Sequence, residues 1–268
     1  MSEAIEPKAS FFKGLLARGE GSCFVFDYDG TLAPIVIDPA TAKVSDSLLE
    51  PLRDLSKRAS IKIISGRPVD FLCEKLRNVF EKDATEIEVF GKYGIERGTL
   101  AEGVTEIYEV EADALSQLHR LQLALEPLMP KGCFIEEKGT STGYHFRQNP
   151  SQLDYLRELI LTNIERLHLG KLEVHGGKMV FEVMAADVPS KGSTISSFCH
   201  TFEGVFFAGD DLGDVDAFGV IASLPDQSGF TVLVRGSSET ESIVGTVVDL
   251  IVEDQVQLAE LIKKLIQP

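Results

Sequence analysis

The hydrophobic pattern at both ends of the chain predicts short buried strands that alternate with amphipathic helices. Toward the N-terminus, apolar β-prone runs end at Asp27, Ile64 and Phe90, and the stretches between them space their apolar residues as helices do. The same rhythm resumes after Pro189. The predicted strands are 23–27, 61–64, 89–90, 204–208 and 230–234, and the predicted helices are 1–20, 47–58, 68–78, 191–201, 215–223 and 254–266. Strands that alternate with helices are typical of a parallel sheet covered by helices.

The middle of the chain has a different pattern, which predicts a separate small domain. Two helices are expected there, each followed by two strands: 112–129, 134–138, 143–147, 151–167, 171–175 and 179–183. Gly176 and Gly177 are typical of a hairpin turn between the last two strands. We therefore predict an α/β fold in which residues 1–103 and 188–268 form a core with a parallel sheet covered by helices. Residues 104–187 form a smaller inserted α+β domain of order αββαββ.

Alternation within the strands of the inserted domain predicts a charged sheet face. Glu136 and Lys138 share one face, because side chains two apart point the same way, and Glu182 points away from Phe181 and Val183. Antiparallel sheets commonly expose one polar face to water, so the pattern alone favours a simple solvated surface.

Composition and charge narrow the classes of function. The formal net charge of −16 argues against nucleic-acid binding, which depends on a basic surface. No apolar run approaches the ~20 residues of a membrane span, and the N-terminal residues lack the apolar core of a signal peptide. The four cysteines are far apart, which indicates reduced core residues and a cytoplasmic protein. An anionic substrate would need a metal ion and a few well-placed basic groups.

Chemically active side chains follow the ends of the predicted core strands or begin a helix: Asp27, Asp29, Ser65, Lys191, Asp210, Asp211 and Asp214. Because the carboxyl ends of parallel strands meet at one edge of a sheet, we expect these groups to converge. Carboxylates crowded at one point need a cation, and hard oxygen ligands beside a phosphate suit Mg²⁺. The sequence has neither a Walker loop nor a dinucleotide-binding glycine motif. What remains is a carboxylate nucleophile, Asp27, that attacks phosphorus, with Asp29 as the acid and base.

In their order and spacing, these residues resemble the four signature motifs of phosphatases of the haloacid dehalogenase (HAD) superfamily: Asp27-Tyr28-Asp29-Gly30-Thr31, Ser65, Lys191 and Gly209-Asp210-Asp211-x-x-Asp214. The resemblance implies a HAD-like, Rossmann-like core with a type C2 cap, which is the inserted domain. It also implies that Asp27 is the nucleophile, Asp29 the general acid and base, Ser65 a phosphate ligand and Lys191 the charge balancer.

The same resemblance implies a magnesium site. Asp210 would bind Mg²⁺ together with Asp27 and the backbone carbonyl of Asp29, and Asp214 would hold a metal-bound water. Mg²⁺ is therefore the expected cofactor.

Within that superfamily, the chain is most similar to the trehalose-6-phosphate phosphatase family. The similarity rests on DYDGTLAPI at 27–35, ISGR at 64–67, G-x-x-G-x-E at 91–96, E-x-K at 136–138, HFR at 145–147, Glu182 and GDDLGDVDAF at 209–218. It implies that Glu136, Lys138 and Glu182 hold sugar hydroxyls, so the charged sheet face becomes a sugar-binding wall. Gly66 and Arg67 are further candidates for substrate binding, with orientation of the loop as the alternative role of Arg67.

The chain departs from that family at four positions. The family usually has His where Tyr93 stands, Thr and Glu where Gly213 and Val215 stand, and often a basic residue where Met184 stands. These changes leave the motif chemistry intact and bear on the identity of the sugar.

The resulting prediction is a Mg²⁺-dependent phosphatase that converts trehalose 6-phosphate into trehalose and phosphate through an aspartyl-phosphate. We expect a monomer whose partner is a small sugar phosphate, with no nucleic acid and no membrane. The alternatives are a phosphatase of a glucosyl- or mannosyl-phosphoglycerate or of sucrose phosphate, and a non-catalytic sugar-phosphate sensor. The intact motif residues weigh against a sensor, and the large cap weighs against a phosphoglucomutase.

Overall fold

The computed structural model describes residues 5–80, 87–177, 179–235 and 248–267. The chain divides into two compact units: the core unit, Met1–Ile107 with Pro189–Pro268, and the inserted unit, Tyr108–Val188. The insertion predicted at 104–187 therefore began four residues too early and ended one residue too early. The difference at its start arises because residues 104–107 are part of a strand of the core sheet.

Within the described residues, the core unit contains one sheet of eight strands and six α-helices. The strands are β1 (Ser22–Phe26), β2 (Ser60–Ile64), β3 (Glu88–Gly91), β4 (Glu96–Thr99), β5 (Gly103–Ile107), β10 (Gly204–Gly209), β11 (Gly229–Val234) and β12 (Leu250–Val252). The helices are α1 (Glu6–Arg18), α2 (Leu49–Ser56), α3 (Val69–Phe80), α6 (Lys191–Ser196), α7 (Val215–Ala222) and α8 (Gln255–Ile266). The strand order is β12-β11-β10-β1-β2-β3-β4-β5, in which β4 and β5 run antiparallel to their neighbours and the other pairs are parallel.

The central strands are apolar throughout because helices cover both faces of the sheet. Phe24 and Phe26 belong to the cluster formed with α1, α2, α3 and α8, whereas Cys23 and Val25 belong to the cluster formed with α6 and α7. All residues of β1 and β10 are buried. Continuous apolar runs are expected for strands buried on both faces, which is why the sequence pattern found these strands.

The sequence pattern missed the antiparallel edge of the sheet. The last two strands of the sheet, β4 and β5, are mostly exposed or half-buried, so they contain no continuous apolar run. Gly98 allows the two strands to approach, since a Cβ atom there would lie 1.9 Å from the carbonyl oxygen of Gly103. The predicted parallel core is confirmed, with this antiparallel extension added to it. The helix predicted at 191–201 is also shorter, ending at Ser196.

The inserted unit has the predicted αββαββ order. Its helices are α4 (Ala112–Leu125) and α5 (Leu153–Arg166), and its strands are β6 (Phe134–Glu137), β7 (Ser141–His145), β8 (Leu172–Gly177) and β9 (Val180–Ala185). The sheet is antiparallel in the order β6-β7-β9-β8. Leu121, Leu156 and Ile160 of the helices pack with Tyr144 and Val183 of the sheet, so one sheet face is covered. The turn predicted at Gly176 and Gly177 was wrong, because both pair within the β8–β9 ladder.

No helix in the described part of the chain has the length and apolar character needed to cross a membrane.

Candidate active site

The catalytic candidates of the core unit lie at the carboxyl ends of three neighbouring strands. Asp27 directly follows β1, Asp210 directly follows β10, and Ser65 directly follows β2. The parallel register pairs Phe26 with Ala208, and the backbone N–H of Asp27 donates to the Ala208 carbonyl at 3.0 Å. The predicted convergence of these residues at one sheet edge is therefore found in the structure.

Lys191 joins two of the carboxylates. Its Nζ lies 2.7 Å from Oδ1 of Asp27 and 2.6 Å from Oδ1 of Asp214, and all three side chains are buried. Lys191 is the first residue of α6, where Ser190 caps the helix through a reciprocal bond with Ser193. The capped helix start fixes the direction in which the lysine enters the site.

Asp214 also organises the backbone of the loop after β10. Its Oδ2 accepts hydrogen bonds from the backbone N–H groups of Asp210 at 3.0 Å and Asp211 at 3.3 Å. Asp214 thus holds the loop and Lys191 at the same time. Its place in the acidic cluster fits the metal-site role that the family resemblance implied, and that role stays a prediction.

Burial sets the protonation of this cluster. Burial raises the pKa of Asp27 to about 8 against the opposing effect of Lys191, and raises that of Asp214 to about 6. Burial and the charge of Asp27 raise the pKa of Asp210 well above its ordinary value. Burial alone lowers the pKa of Lys191, but the Asp214 and Asp27 carboxylates outweigh it and raise that pKa well above its ordinary value.

The cluster has more negative than positive groups and fits a cation. Carboxylate oxygens of Asp27, Asp210 and Asp214 all lie within 4.8 Å of one another, and these residues are buried. Three carboxylates with one lysine leave negative charge that a divalent cation would neutralise. The donors are hard oxygens, the ligands that Mg²⁺ prefers.

Gly30 makes the close approach of the two acidic loops possible. Its φ is +88°, and a Cβ atom there would lie 2.0 Å from Oδ2 of Asp210. The carbonyl of Gly30 accepts a hydrogen bond from Nε2 of Gln255, the first residue of α8, at 2.5 Å. Sequence reasoning missed Gln255, because no local signal connects residues 225 positions apart.

Asp29 is held by Arg67. The Nε and a terminal nitrogen of Arg67 donate to the two Asp29 carboxylate oxygens at 2.7 and 2.8 Å. The guanidinium also donates to the Pro39 carbonyl and lies 4.6 Å from the centre of the Phe71 ring. Arg67 therefore has an observed structural role, and its predicted contact with substrate stays a prediction.

The loop after β2 is packed against the loop that contains Tyr93. The Ser65 hydroxyl accepts the backbone N–H of Arg67 at 3.2 Å, and the Ser65 carbonyl accepts the backbone N–H of Tyr93 at 2.9 Å. A Cβ atom on Gly66 would lie 2.8 Å from the Tyr93 hydroxyl, so a larger residue here would have to displace this ring. The Thr194 hydroxyl donates to the Tyr93 carbonyl at 3.0 Å. Gly66 thus has a steric reason to be glycine, and its predicted role in substrate binding stays a prediction.

The sugar-binding candidates of the inserted unit lie together on its open sheet face. Oε1 of Glu182 accepts from the Ser141 hydroxyl at 2.6 Å and from Lys138 Nζ at 3.2 Å. Glu136 lies 2.8 Å from Nε2 of His145 and 4.0 Å from Lys138 Nζ. Sequence reasoning missed Ser141 because it lies between the predicted strands 134–138 and 143–147, whereas β7 begins at this residue.

The family model and the relatives found by sequence comparison point to the same family. The trehalose-phosphatase family model matches residues 25–246. A trehalose-6-phosphate phosphatase of Escherichia coli (strain K12) is 30% identical over 214 residues, which cover 76% of this chain and 74% of that protein. The probable trehalose-phosphate phosphatase 3 of Oryza sativa subsp. japonica is 27% identical and covers 83% of this chain.

The solved structures that resemble this chain have the same fold. The C-terminal domain of a trehalose-6-phosphate phosphatase of C. albicans superposes with a TM-score of 0.72 at 22% identity, over 96% of each chain. A trehalose-6-phosphate phosphatase of Aspergillus fumigatus gives a TM-score of 0.69 at 24% identity, over 96% of this chain and 97% of that one.

The chain spans 66% of the length of the rice protein named above and 59% of a second one, the probable trehalose-phosphate phosphatase 4. The part matched by the family model includes the strand ends, Lys191 and the charged sheet face of the inserted unit. Since that model covers well over half of the residues, the chain belongs to the trehalose-phosphatase family.

Proposed function

We propose that this chain hydrolyses trehalose 6-phosphate to trehalose and inorganic phosphate, with Mg²⁺ as its cofactor. The observation that supports this most is the buried Asp27 carboxylate, paired with Lys191 at 2.7 Å within a cluster of acids. Buried charges are costly, so a cluster of this kind is typical of a functional site. The four free cysteines suit a cytoplasmic enzyme.

In the first step, a carboxylate oxygen of Asp27 attacks the phosphorus of the ester. The bond from Asp27 to phosphorus forms while the bond from phosphorus to the sugar oxygen breaks. Lys191 favours the ionised form of the attacking carboxylate and orients it through their contact. Asp29 donates a proton to the departing sugar oxygen, so trehalose leaves as a neutral alcohol.

In the second step, Asp29 takes a proton from a water molecule. The water oxygen bonds to phosphorus, the bond to Asp27 breaks, and phosphate is released with Asp27 regenerated. The two hydrogen bonds from Arg67 fix the plane of the Asp29 carboxylate, which suits it to accept this proton. Ser65 would donate a hydrogen bond to a phosphoryl oxygen.

Asp27, Asp210 and Asp214, with the backbone carbonyl of Asp29, are the residues that would hold Mg²⁺. When bound, Mg²⁺ supplies positive charge that neutralises these carboxylates beside a dianionic phosphate. The fit rests on their oxygens lying within 4.8 Å of one another.

Glu136, Lys138 and Glu182 would bind the hydroxyl groups of the sugar. Carboxylates accept hydrogen bonds and an ammonium group donates them, so together they match hydroxyls that do both. Glu182 is held in place by Ser141 and Lys138, which prepares it for binding.

The test is phosphate release by the purified protein from a panel of sugar phosphates, with Mg²⁺ and with a chelator. We expect trehalose 6-phosphate to have the highest kcat/KM and the chelator to stop turnover. Asp27→Asn serves as the inactive reference. A higher kcat/KM for sucrose phosphate or a glucosyl-phosphoglycerate would contradict the proposed substrate.

The sugar-binding role is tested by Glu182→Ala. We expect KM for trehalose 6-phosphate to rise about tenfold or more, while KM for p-nitrophenyl phosphate, which has no sugar, stays the same. Glu173→Ala is the matched control, since Glu173 is an exposed carboxylate on the neighbouring strand β8. Equal changes in both KM values would show that Glu182 does not contact sugar.

A further inference from the structure

An aromatic pair stands on the open face of the inserted sheet. Phe134 and His145 are cross-strand partners on β6 and β7; their ring centroids are 4.5 Å apart and their planes differ by 9°. His145 shields one face of the phenyl ring, yet Phe134 remains 49% exposed. The pair therefore presents an ordered apolar surface that nothing covers within the described residues of this unit.

The pair adjoins the residues proposed to bind hydroxyls. Phe134 and Glu136 are two positions apart on β6 and so share a face. His145 bonds to Glu136 at 2.8 Å and stands over Gly143, where a Cβ atom would lie 3.0 Å from its Nε2. Gly143 is the register partner of both Glu136 and Glu182, so the aromatic pair and the two carboxylates border one patch.

A pyranose has two kinds of surface that match this patch. Its rim of hydroxyls forms hydrogen bonds with carboxylates, and the C–H groups on its ring faces are apolar. Apolar C–H surface packs favourably on an aromatic ring, and small-molecule sites commonly combine aromatic walls with a few polar groups.

We propose that Phe134, backed by His145, is a stacking platform for a glucose ring of the substrate and contributes to the preference for a disaccharide phosphate over smaller esters. This inference rests on the proposed function, and it adds a residue outside the set Glu136, Lys138 and Glu182. If the stacked pair only stabilised the β6–β7 hairpin, substitution of Phe134 would change the melting temperature without changing sugar binding.

A binding experiment uses the absence of tryptophan from the chain. Phe134→Trp places a single indole at the platform, and Asp27→Asn in the same protein stops turnover. We expect trehalose 6-phosphate with Mg²⁺ to change the indole emission in a saturable way, and inorganic phosphate to leave it unchanged. Tyr155→Trp is the matched control, because Tyr155 is 50% exposed on α5, which packs on the other face of the sheet. An equal response to inorganic phosphate, or no response to the sugar phosphate, would overturn the platform.

Kinetics provide a second readout. We expect Phe134→Ala to raise KM for trehalose 6-phosphate about tenfold, with kcat and the KM for p-nitrophenyl phosphate unchanged, and Phe134→Tyr to retain the native KM. If Phe134→Ala leaves KM for trehalose 6-phosphate unchanged, or raises KM equally for both substrates, Phe134 is not a stacking platform. This holds even where the native enzyme hydrolyses trehalose 6-phosphate. If the native protein does not hydrolyse it, the proposed function fails on its own, and the emission of Phe134→Trp with other disaccharide phosphates still decides the platform.

Discussion

Asp29 and Arg67 are joined by two hydrogen bonds, a geometry that fixes the plane of the carboxylate as well as its position. The Phe71 ring lies against the guanidinium, and the Pro39 carbonyl accepts a further bond from it. The hydrogen bonds to Asp29 also raise the pKa of Arg67, so its charge is permanent. At the residue scale, Arg67 therefore acts on the reaction through Asp29.

Arg67→Lys tests this role because it keeps the charge and removes the planar two-pronged contact. We expect kcat to fall about tenfold for both trehalose 6-phosphate and p-nitrophenyl phosphate, with KM values little changed. Steady-state kinetics on both substrates check it. Arg97→Lys is the control, since Arg97 on β4 pairs with Glu88 on β3, away from the strand ends that carry the catalytic candidates. A rise in KM for the sugar phosphate alone would mean that Arg67 binds sugar instead.

At the scale of elements, the start of α8 supports the loop that follows β1. Asp254 caps this helix by accepting the backbone N–H groups of Val256 and Gln257, which fixes its first turn. From that turn, Gln255 donates its side-chain amide to the Gly30 carbonyl, next to Asp29. The last helix of the core unit thus holds the catalytic loop.

Gln255→Ala removes this support. We expect kcat to fall about threefold to tenfold, the effect of losing roughly one net hydrogen bond of about 1 kcal/mol, with KM for either substrate little changed. Gln257→Ala is matched to it, because the side chain of Gln257, on the same helix, accepts the backbone N–H of Glu253. If the two variants have the same kcat as the native enzyme, α8 does not position the loop.

The secondary-structure elements also show which parts of the fold the sequence pattern predicts. Strands buried on both faces, such as β1 and β10, give apolar runs that are visible in the sequence, and their polar ends pointed to the site. The antiparallel strands β4 and β5 gave no such signal, because most of their residues are exposed or half-buried. The Asp29–Arg67 and Gln255–Gly30 contacts depend on how distant loops meet in three dimensions, which local pattern does not encode.

At the scale of the whole molecule, the acidic cluster makes the folding stability depend on pH and on metal binding. A carboxyl whose pKa is raised in the folded state stabilises the fold below its ordinary pKa, and that contribution is lost as pH rises through the raised value. For Asp27 this window extends from its ordinary 3.8 to about 8. A cation that binds the ionised carboxylates opposes this loss.

We therefore expect Mg²⁺ to raise the melting temperature more at about pH 8 than at about pH 5, where Asp27 is protonated in the metal-free protein. Thermal unfolding with Mg²⁺ or with a chelator at the two pH values measures this difference. Asp210→Asn is the control and should abolish most of the Mg²⁺ effect. A metal effect independent of pH would contradict the coupling.

We propose that Asp27 carries the phosphoryl group of trehalose 6-phosphate during turnover. The most direct measurement is rapid acid quenching of the native protein during its first turnover of trehalose 6-phosphate with Mg²⁺, followed by peptide mass spectrometry, because native Asp29 is needed to form the intermediate as well as to hydrolyse it. We expect a phosphorylated peptide with the group on Asp27, and none in the Asp27→Asn protein. Phosphate release without a phosphorylated residue, or a phosphoryl group on another side chain, would contradict it.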